Sequence, residues 1–159
     1  MKRSLPAFVL GTSVFALDQA TKWLALERLR WGHPVEVIPG FFNLTLVGNT
    51  GAAWGILHDQ KFWLTLLALA ALIFLTLARR HFTHIGVVPR IALGLLLGGI
   101  AGNLLDRVAR GHVIDFLSFF IWGYPWPAFN IADSAICVGV GLYMVDSLFR
   151  KESAVVNAS

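Results

Sequence analysis

Residues 62–78 read FWLTLLALAALIFLTLA, seventeen consecutive residues without a charge. A run of this length falls within the ~17–25 residues that a helix needs to cross the hydrocarbon core of a bilayer. The rest of the chain has the same character, because 57% of its 159 residues are apolar and only 14% are charged. Soluble proteins carry about 25% charged residues, and intrinsic disorder requires low hydrophobicity. The sequence therefore predicts a single integral membrane domain over residues 1–159.

Three further apolar segments surround this run, and each of them carries polar residues. The predicted spans are residues 4–26, 62–78, 89–107 and 131–149, with an outer loop at 27–61 and an outer aromatic loop at 108–130. A fifth span is conceivable because residues 116–132 are also uncharged. Two prolines and clustered Trp and Tyr side chains favour an interfacial loop for that stretch instead.

The basic residues indicate how the chain is oriented in the membrane. With four spans, seven of them lie on one side: Lys2, Arg3, Arg79, Arg80, Arg90, Arg150 and Lys151. The positive-inside rule makes that side the cytoplasm, so both termini are expected there.

A cleaved signal peptide would also explain the basic N-terminus, although three further spans argue against it. The net charge of +4 comes with no basic stripe, so nucleic-acid binding is not expected.

The outer loop is expected to be structured. Two short β-type runs, Val35–Ile38 and residues 41–47, surround the turn signal Pro39-Gly40. The following stretch, NTGAAWGIL, predicts a turn and a short apolar outer helix.

Polar side chains collect near the outer ends of the predicted spans. They are Asp18 and Lys22 in the first span, Asn103, Asp106 and Arg107 at the end of the third, Asp115 in the aromatic loop, and Asn130 and Asp133 at the start of the fourth. Ionisable groups in spans are costly and are therefore candidates for function. Asp18 lies 15 residues beyond Arg3, or ~22 Å along an outward-running helix. These groups therefore converge on one layer near the outer leaflet.

Structural interpretations of the same residues stay open. Asp18 and Lys22 have the i,i+4 spacing of a helix ion pair. Asp106 beside Arg107 would suit a helix end at the interface, and Asp133 would be stabilised by the helix dipole at the start of a helix. The glycines at 94, 98 and 102 have the GxxxG spacing typical of close helix packing.

Asp115 and Asp133 are the best pair for chemistry. The sequence has no GxSxG and no HExxH motif, so a serine nucleophile or a zinc protease is not supported. A metal site of His112 with both acids remains an alternative with a thin ligand set. A small proton-coupled transporter and a non-catalytic scaffold also remain open, although transporter sites tend to lie at the midplane between repeats and no repeat is visible here.

Five sequence blocks, in order, resemble those of the bacterial lipoprotein signal peptidases (signal peptidase II), which are membrane-embedded aspartyl endopeptidases. The blocks are DQATK at 18–22, NTGAAWG at 49–55, GGIAGNLLDR at 98–107, VIDF at 113–116 and FNIAD at 129–133. The resemblance covers nearly the whole chain. One departure is Trp54, which stands where phenylalanine is more usual.

The resemblance implies an activity and a fold. The enzyme would remove the signal peptide from diacylglyceryl-modified prolipoproteins, cutting before the lipidated cysteine, at the outer leaflet of the bacterial inner membrane. Asp115 and Asp133 match the catalytic dyad. The positions that match residues lining or bracing the site are Asn49, Gly51, Asn103, Asp106, Arg107 and Asn130, while Asp18 and Lys22 match a block with a structural role. Four transmembrane helices, a small outer β-sheet cradle and a short outer helix are expected, with membrane lipids around them and no cofactor or metal.

Overall fold

The computed structural model describes residues 4–51 and 60–156, with side chains described as far as residue 150. In chain order its elements are α1 (Leu5–Arg28), β1 (Val35–Ile38), β2 (Phe42–Asn49), α2 (Lys61–Ile85), α3 (Val87–Arg110), β3 (Val113–Ile121), β4 (Tyr124–Pro125) and α4 (Ile131–Val156). Each helix contains nearly all of one predicted span, and α2 extends furthest beyond its span. The predicted short outer helix falls mainly on residues 52–59, which lie outside the described residues.

Three of the described helices are long and apolar enough to cross a membrane: Lys61–Ile85, Val87–Arg110 and Ile131–Arg150. The first helix, α1, has 24 residues, which at ~1.5 Å per residue would also reach across the hydrocarbon core. It is not in this group, and its apolar run is interrupted by Asp18, Gln19 and Lys22. Whether the first predicted span can cross the membrane therefore depends on how the fold pairs these polar residues.

Helix α3 is the centre of the helical bundle and packs against α1, α2 and α4. Glycines allow two of these approaches. A Cβ atom at Gly98 would overlap the carbonyl oxygen of Gly11 on α1, and one at Gly99 would lie 2.6 Å from the carbonyl oxygen of Ala132 on α4. The close packing predicted from the glycine spacing is confirmed for this helix.

The four strands form one antiparallel sheet in the order β1-β2-β3-β4. The two strands predicted in the outer loop are confirmed, and they pair with each other. One face of the sheet packs on the end of α1, where Ala25, Leu46, Ile114 and Phe116 form a buried cluster. The sheet therefore sits at the same end of the bundle as the polar residues of α1.

Residues 108–130 differ from the aromatic loop that the sequence predicts. They contain the last turn of α3 and the strands β3 and β4. The run VIDFLSFFI is rich in β-branched and aromatic residues, which favour strands, and it pairs with β2 for most of its length. The prolines that suggested a loop lie beyond this strand, at Pro125 and Pro127. A tight turn with positive φ at Trp122 and Gly123 separates β3 from β4.

Candidate active site

Asp115 is placed by the pairing of β3 with β2. It is the third residue of β3 and lies opposite Val47. Because side chains alternate along a strand, its neighbours Ile114 and Phe116 enter the cluster against α1 while Asp115 points to the other face. Its side chain is nevertheless almost completely buried. The sheet thus carries a carboxyl group into an enclosed position next to the helix ends.

Asp133 is placed by the start of α4. The side-chain Oδ1 of Asn130 accepts a hydrogen bond from the backbone N–H of Asp133 at 2.9 Å, and Asp133 Oδ2 accepts one from the backbone N–H of Asn130 at 3.3 Å. This reciprocal pair is a capping box, which satisfies two backbone donors that the helix itself cannot. The structural interpretation of Asp133 is therefore correct, and it fixes the carboxyl group at a defined position.

Both oxygens of Asp115 accept hydrogen bonds from asparagine side chains. Asn130 Nδ2 donates to Oδ1 at 2.7 Å, and Asn49 Nδ2 donates to Oδ2 at 3.0 Å. The pKa of Asp115 is raised to about 7, first by burial and then by the nearby charge of Asp133, although the two amide hydrogen bonds and the charge of Lys22 oppose the rise. The carboxyl group of Asp115 is therefore poised to exchange a proton near neutral pH.

Asn103 connects Asp133 to the interior of the bundle. Its Nδ2 donates to Asp133 Oδ1 at 2.7 Å, and its Oδ1 accepts from Lys22 Nζ at 2.9 Å and from Asn130 Nδ2 at 3.2 Å. Asp133 thus accepts hydrogen bonds on both oxygens, as Asp115 does. A single network of amides joins the two carboxyl groups.

Arg107 connects the third helix to the outer loop. Its Nη2 donates to the carbonyl oxygen of Gly51 at 3.4 Å, and the N–H of Gly51 donates to Asn49 Oδ1 at 2.9 Å. The guanidinium is also close enough to Asp133 and Asp115 to interact with their charges. Gly51 is therefore held at both its N–H and its carbonyl oxygen beside the site.

A buried ion cluster lies beneath the site. Lys22 Nζ is 2.9 Å from Asp18 Oδ2 and 2.8 Å from Asp106 Oδ2, and all three side chains are fully buried. The other oxygen of Asp18 accepts from the backbone N–H of Ala132 at 2.9 Å, and Asp106 Oδ2 accepts from the N–H of Ile114 at 3.2 Å. The Asp18–Lys22 ion pair expected from the spacing is present, and Lys22 has Asp106 as a second counter-ion. The cluster therefore links α1, α3, β3 and α4.

Comparison with known proteins identifies the family. A family model described as signal peptidase (SPase) II matches residues 10–149. The chain belongs to the signal peptidase II family. This confirms the resemblance found in the five sequence blocks.

Members of the signal peptidase II family at high identity include two bacterial proteins named lipoprotein signal peptidase. The protein of Neisseria gonorrhoeae is 40% identical over 153 residues, covering 92% of each chain. The protein of Syntrophotalea carbinolica is 43% identical over 140 residues, covering 86% of this chain and 87% of its own.

Two solved structures of bacterial membrane enzymes, obtained in meso at 2.3 and 1.9 Å resolution, share the fold. The first has a TM-score of 0.85 at 35% identity and covers 94% of this chain and 90% of its own. The second has a TM-score of 0.78 at 35% identity and covers 90% of this chain and 92% of its own.

Every site residue proposed from the sequence belongs to the one connected network. Its members are Asp18, Lys22, Asn49, Gly51, Asn103, Asp106, Arg107, Asp115, Asn130 and Asp133. Two further members of this network were not singled out from the sequence. Gln19 Nε2 donates to Asp18 Oδ2 at 3.0 Å and to the carbonyl oxygen of Gly102 at 3.2 Å, and Arg110 Nη1 lies 2.6 Å from Asp106 Oδ1. The i,i+4 spacing of Asp106 and Arg110 could have indicated Arg110 from the sequence.

His112 has neighbours other than the two acids. Its ring lies edge to face against Trp31, with centroids 6.2 Å apart, and it covers the backbone at Gly48. Within residues 4–51 and 60–156, no group of three or more His, Cys, Asp or Glu side chains could hold a metal ion.

Proposed function

We propose that this signal peptidase II family member removes the signal peptide from diacylglyceryl-modified prolipoproteins by cutting the peptide bond before the lipidated cysteine. The observation that carries the mechanism is the pair Asp115 and Asp133, two carboxyl groups bridged by Asn130 at an enclosed site. Both come from sequence blocks that match the family's catalytic segments. The proposal therefore joins the family's activity to one pair of side chains.

The two carboxyl groups divide the chemistry of hydrolysis between them. Two acids in a low-dielectric site do not ionise together easily, so they share a proton. The ionised member takes a proton from the attacking water, and the protonated member polarises the scissile carbonyl and then supplies a proton to the leaving amine. A raised pKa of about 7 for Asp115 suits this exchange at neutral pH. The proposed mechanism requires neither a metal nor a cofactor.

The remaining site residues brace this pair. Asn49, Asn103 and Asn130 donate to the carboxylates, and Arg107 with Gly51 holds the adjoining outer loop. Asp106 joins α3 to the backbone of β3 and to the buried ammonium of Lys22. In this scheme Asp18 and Lys22 act from beneath the site rather than on the substrate.

We also propose that α1 crosses the membrane as a fourth span, that both termini are cytoplasmic and that the dyad lies near the outer leaflet of the bacterial inner membrane. The Arg150 side chain lies against Gly86 in the α2–α3 connection. Arg79, Arg80 and Arg90 flank that connection, so the basic residues gather at one end of the bundle, away from the dyad. A substrate anchored by diacylglycerol would present its scissile bond at the opposite, outer membrane surface.

The test is cleavage of matched precursors by the purified protein in detergent. One precursor carries diacylglycerol on its cysteine, and the other has the same sequence without lipid. Cleavage of the lipidated precursor before the cysteine, insensitive to EDTA, is the expected result. Equal cleavage of the unlipidated precursor would contradict the substrate, and loss of activity with EDTA that a divalent metal restores would contradict the mechanism.

A further inference from the structure

We propose that Lys22 is a positioning residue for hydrolysis: its ammonium fixes the side-chain amide of Asn103 so that Asn103 presents an N–H group to Asp133. This inference rests on the proposed function of the dyad. Lys22 is fully buried beneath the site and makes no contact that a substrate could share. Besides its charge, which also acts on Asp115, its link to the dyad is the hydrogen bond to Asn103. The experiment below therefore compares two variants of equal charge.

The three asparagines of the site need a defined orientation, because a flipped amide would replace each N–H donor by an acceptor. Two of them are locked by backbone donors. Asn130 Oδ1 accepts from the N–H of Asp133, and Asn49 Oδ1 accepts from the N–H of Gly51. Their Nδ2 groups are consequently left to donate to Asp115.

Within residues 4–51 and 60–156, no backbone N–H donates to the side chain of Asn103. Its Oδ1 accepts from Lys22 Nζ at 2.9 Å and from Asn130 Nδ2 at 3.2 Å, and the latter group also donates to Asp115 and to the carbonyl oxygen of Ile114. An ammonium can only donate, so Lys22 holds Oδ1 on its own side and turns Nδ2 toward Asp133. Lys22 thus does for Asn103 what backbone N–H groups do for the other two amides.

Without the hydrogen bond from Lys22, a flip of the Asn103 amide would place two hydrogen-bond acceptors opposite each other. With Asn103 flipped, its Oδ1 would face Asp133 Oδ1 across the present 2.7 Å contact. That contact can be kept only if Asp133 is protonated and donates, which would change the protonation of the dyad. A purely structural Lys22 would affect how much protein folds but not the turnover of the folded fraction.

The experiment compares two double variants in which the buried charges are removed together. Asp18→Asn with Lys22→Met removes one anion and one cation, so net charge is conserved. It also removes the 2.9 Å donor of Asn103 Oδ1 and leaves only the longer bond from Asn130 Nδ2 among the hydrogen bonds described above. Asp18→Asn with Lys22→Gln has the same charge but restores an N–H donor. We measure kcat and KM for a lipidated precursor on the folded, monodisperse fraction of each protein.

We expect the methionine variant to lose at least about tenfold in kcat with KM unchanged, as for a hydrogen bond to a charged group, and the glutamine variant to recover most of that loss. Wild-type kcat in the methionine variant, or equal loss in both variants, would overturn the proposal. If the methionine variant does not fold, Asn103→Asp provides the test, because it keeps an acceptor for Lys22 but has no N–H for Asp133. Wild-type kcat in that variant would overturn the proposal equally, whereas failure of the wild-type protein to cleave any precursor would contradict the proposed function instead.

Discussion

Two ion pairs with the same i,i+4 spacing occupy opposite ends of this molecule. Asp18 and Lys22 on α1 are both fully buried, with 2.9 Å between Nζ and Oδ2. Asp146 and Arg150 on α4 are 2.6 Å apart, and the Arg150 side chain is 44% exposed. The sequence patterns are equivalent, but the buried pair is also bonded to Asp106 on α3 and to the backbone of α4.

The difference teaches that spacing predicts an ion pair but not its importance. An exposed pair contributes ~0–1 kcal/mol because water and salt screen it. A buried pair is costly to break, because the remaining charge stays in a low-dielectric interior. In the buried pair, the charge of Lys22 also lies one amide away from Asp133. Disturbing the buried end should therefore affect both folding and catalysis, and disturbing the exposed end should affect neither strongly.

The sharpest contrast between the two ends is expected in catalysis. Asp115→Asn and Asp133→Asn should each reduce precursor cleavage by at least ~10³-fold, because Asn keeps the shape of Asp but cannot exchange the proton that either role needs. The double variant should be scarcely worse than either single variant, since the two residues act as a unit. Cleavage by purified variants measures this.

Asp146→Asn is the matched control for the dyad variants. It changes the same atoms on a carboxyl group at the other end of α4 and should leave kcat within about twofold of wild type, as expected for a residue remote from the chemistry. Substantial activity in either dyad variant would remove that residue from the mechanism.

The next largest effect concerns stability. Lys22→Met leaves Asp18 and Asp106 without their shared counter-ion and should lower the free energy of unfolding by ~3–5 kcal/mol. Asp18→Asn removes only one of the two acids and should cost less, and the Asp18→Asn, Lys22→Gln double variant should recover much of the loss. Arg150→Met at the exposed pair should cause little change, because water and salt screen that pair. Thermal unfolding in detergent measures these changes in stability. Equal losses of stability at the buried and the exposed pair would contradict the comparison.

A smaller effect is expected from the backbone that makes room for the buried pair. A Cβ atom at Gly102 would overlap the carboxylate of Asp18, so Gly102→Ala should destabilise the protein by ~1–3 kcal/mol, as overpacking usually does. Gly141 on α4 has nothing within 4 Å of such an atom. Gly141→Ala should be neutral or stabilising by up to ~1 kcal/mol, because Ala favours helix over Gly. A loss of stability in both variants would implicate the substitution itself instead of the space around Asp18.

The membrane class could be predicted from the sequence because it depends on short stretches, and the proposed catalytic pair was selected from short sequence blocks. An uncharged run indicates a span, and a polar residue at a fixed distance along a helix indicates its depth. The second counter-ion of Lys22 could not be predicted, because Asp106 lies 84 residues away on another helix and only tertiary packing brings the two together.

The strands β3 and β4 were missed for a different reason. Their prolines and aromatic residues are typical of an interfacial loop, whereas pairing with β2 fixes residues 113–121 as a strand. Long-range pairing partners are not marked in the sequence of either strand. The position of Asp115 beside the helix ends depends on that pairing, so its surroundings became clear only with the sheet.

A pH dependence of stability is also expected at the buried end. The pKa of Asp115 is raised from 3.8 to about 7, mainly by burial. The folded state therefore holds a proton that the unfolded state has released, and this contribution to stability is fully present below pH 3.8 and is lost as pH rises through about 7. Asp115→Asn lacks the contribution, so its unfolding temperature relative to wild type should increase between pH 5 and about pH 7 and level off above that. Asp146→Asn, measured in the same buffers, should follow the wild-type curve. A constant difference between the Asp115→Asn variant and wild type across this range would show that burial at Asp115 does not raise its pKa.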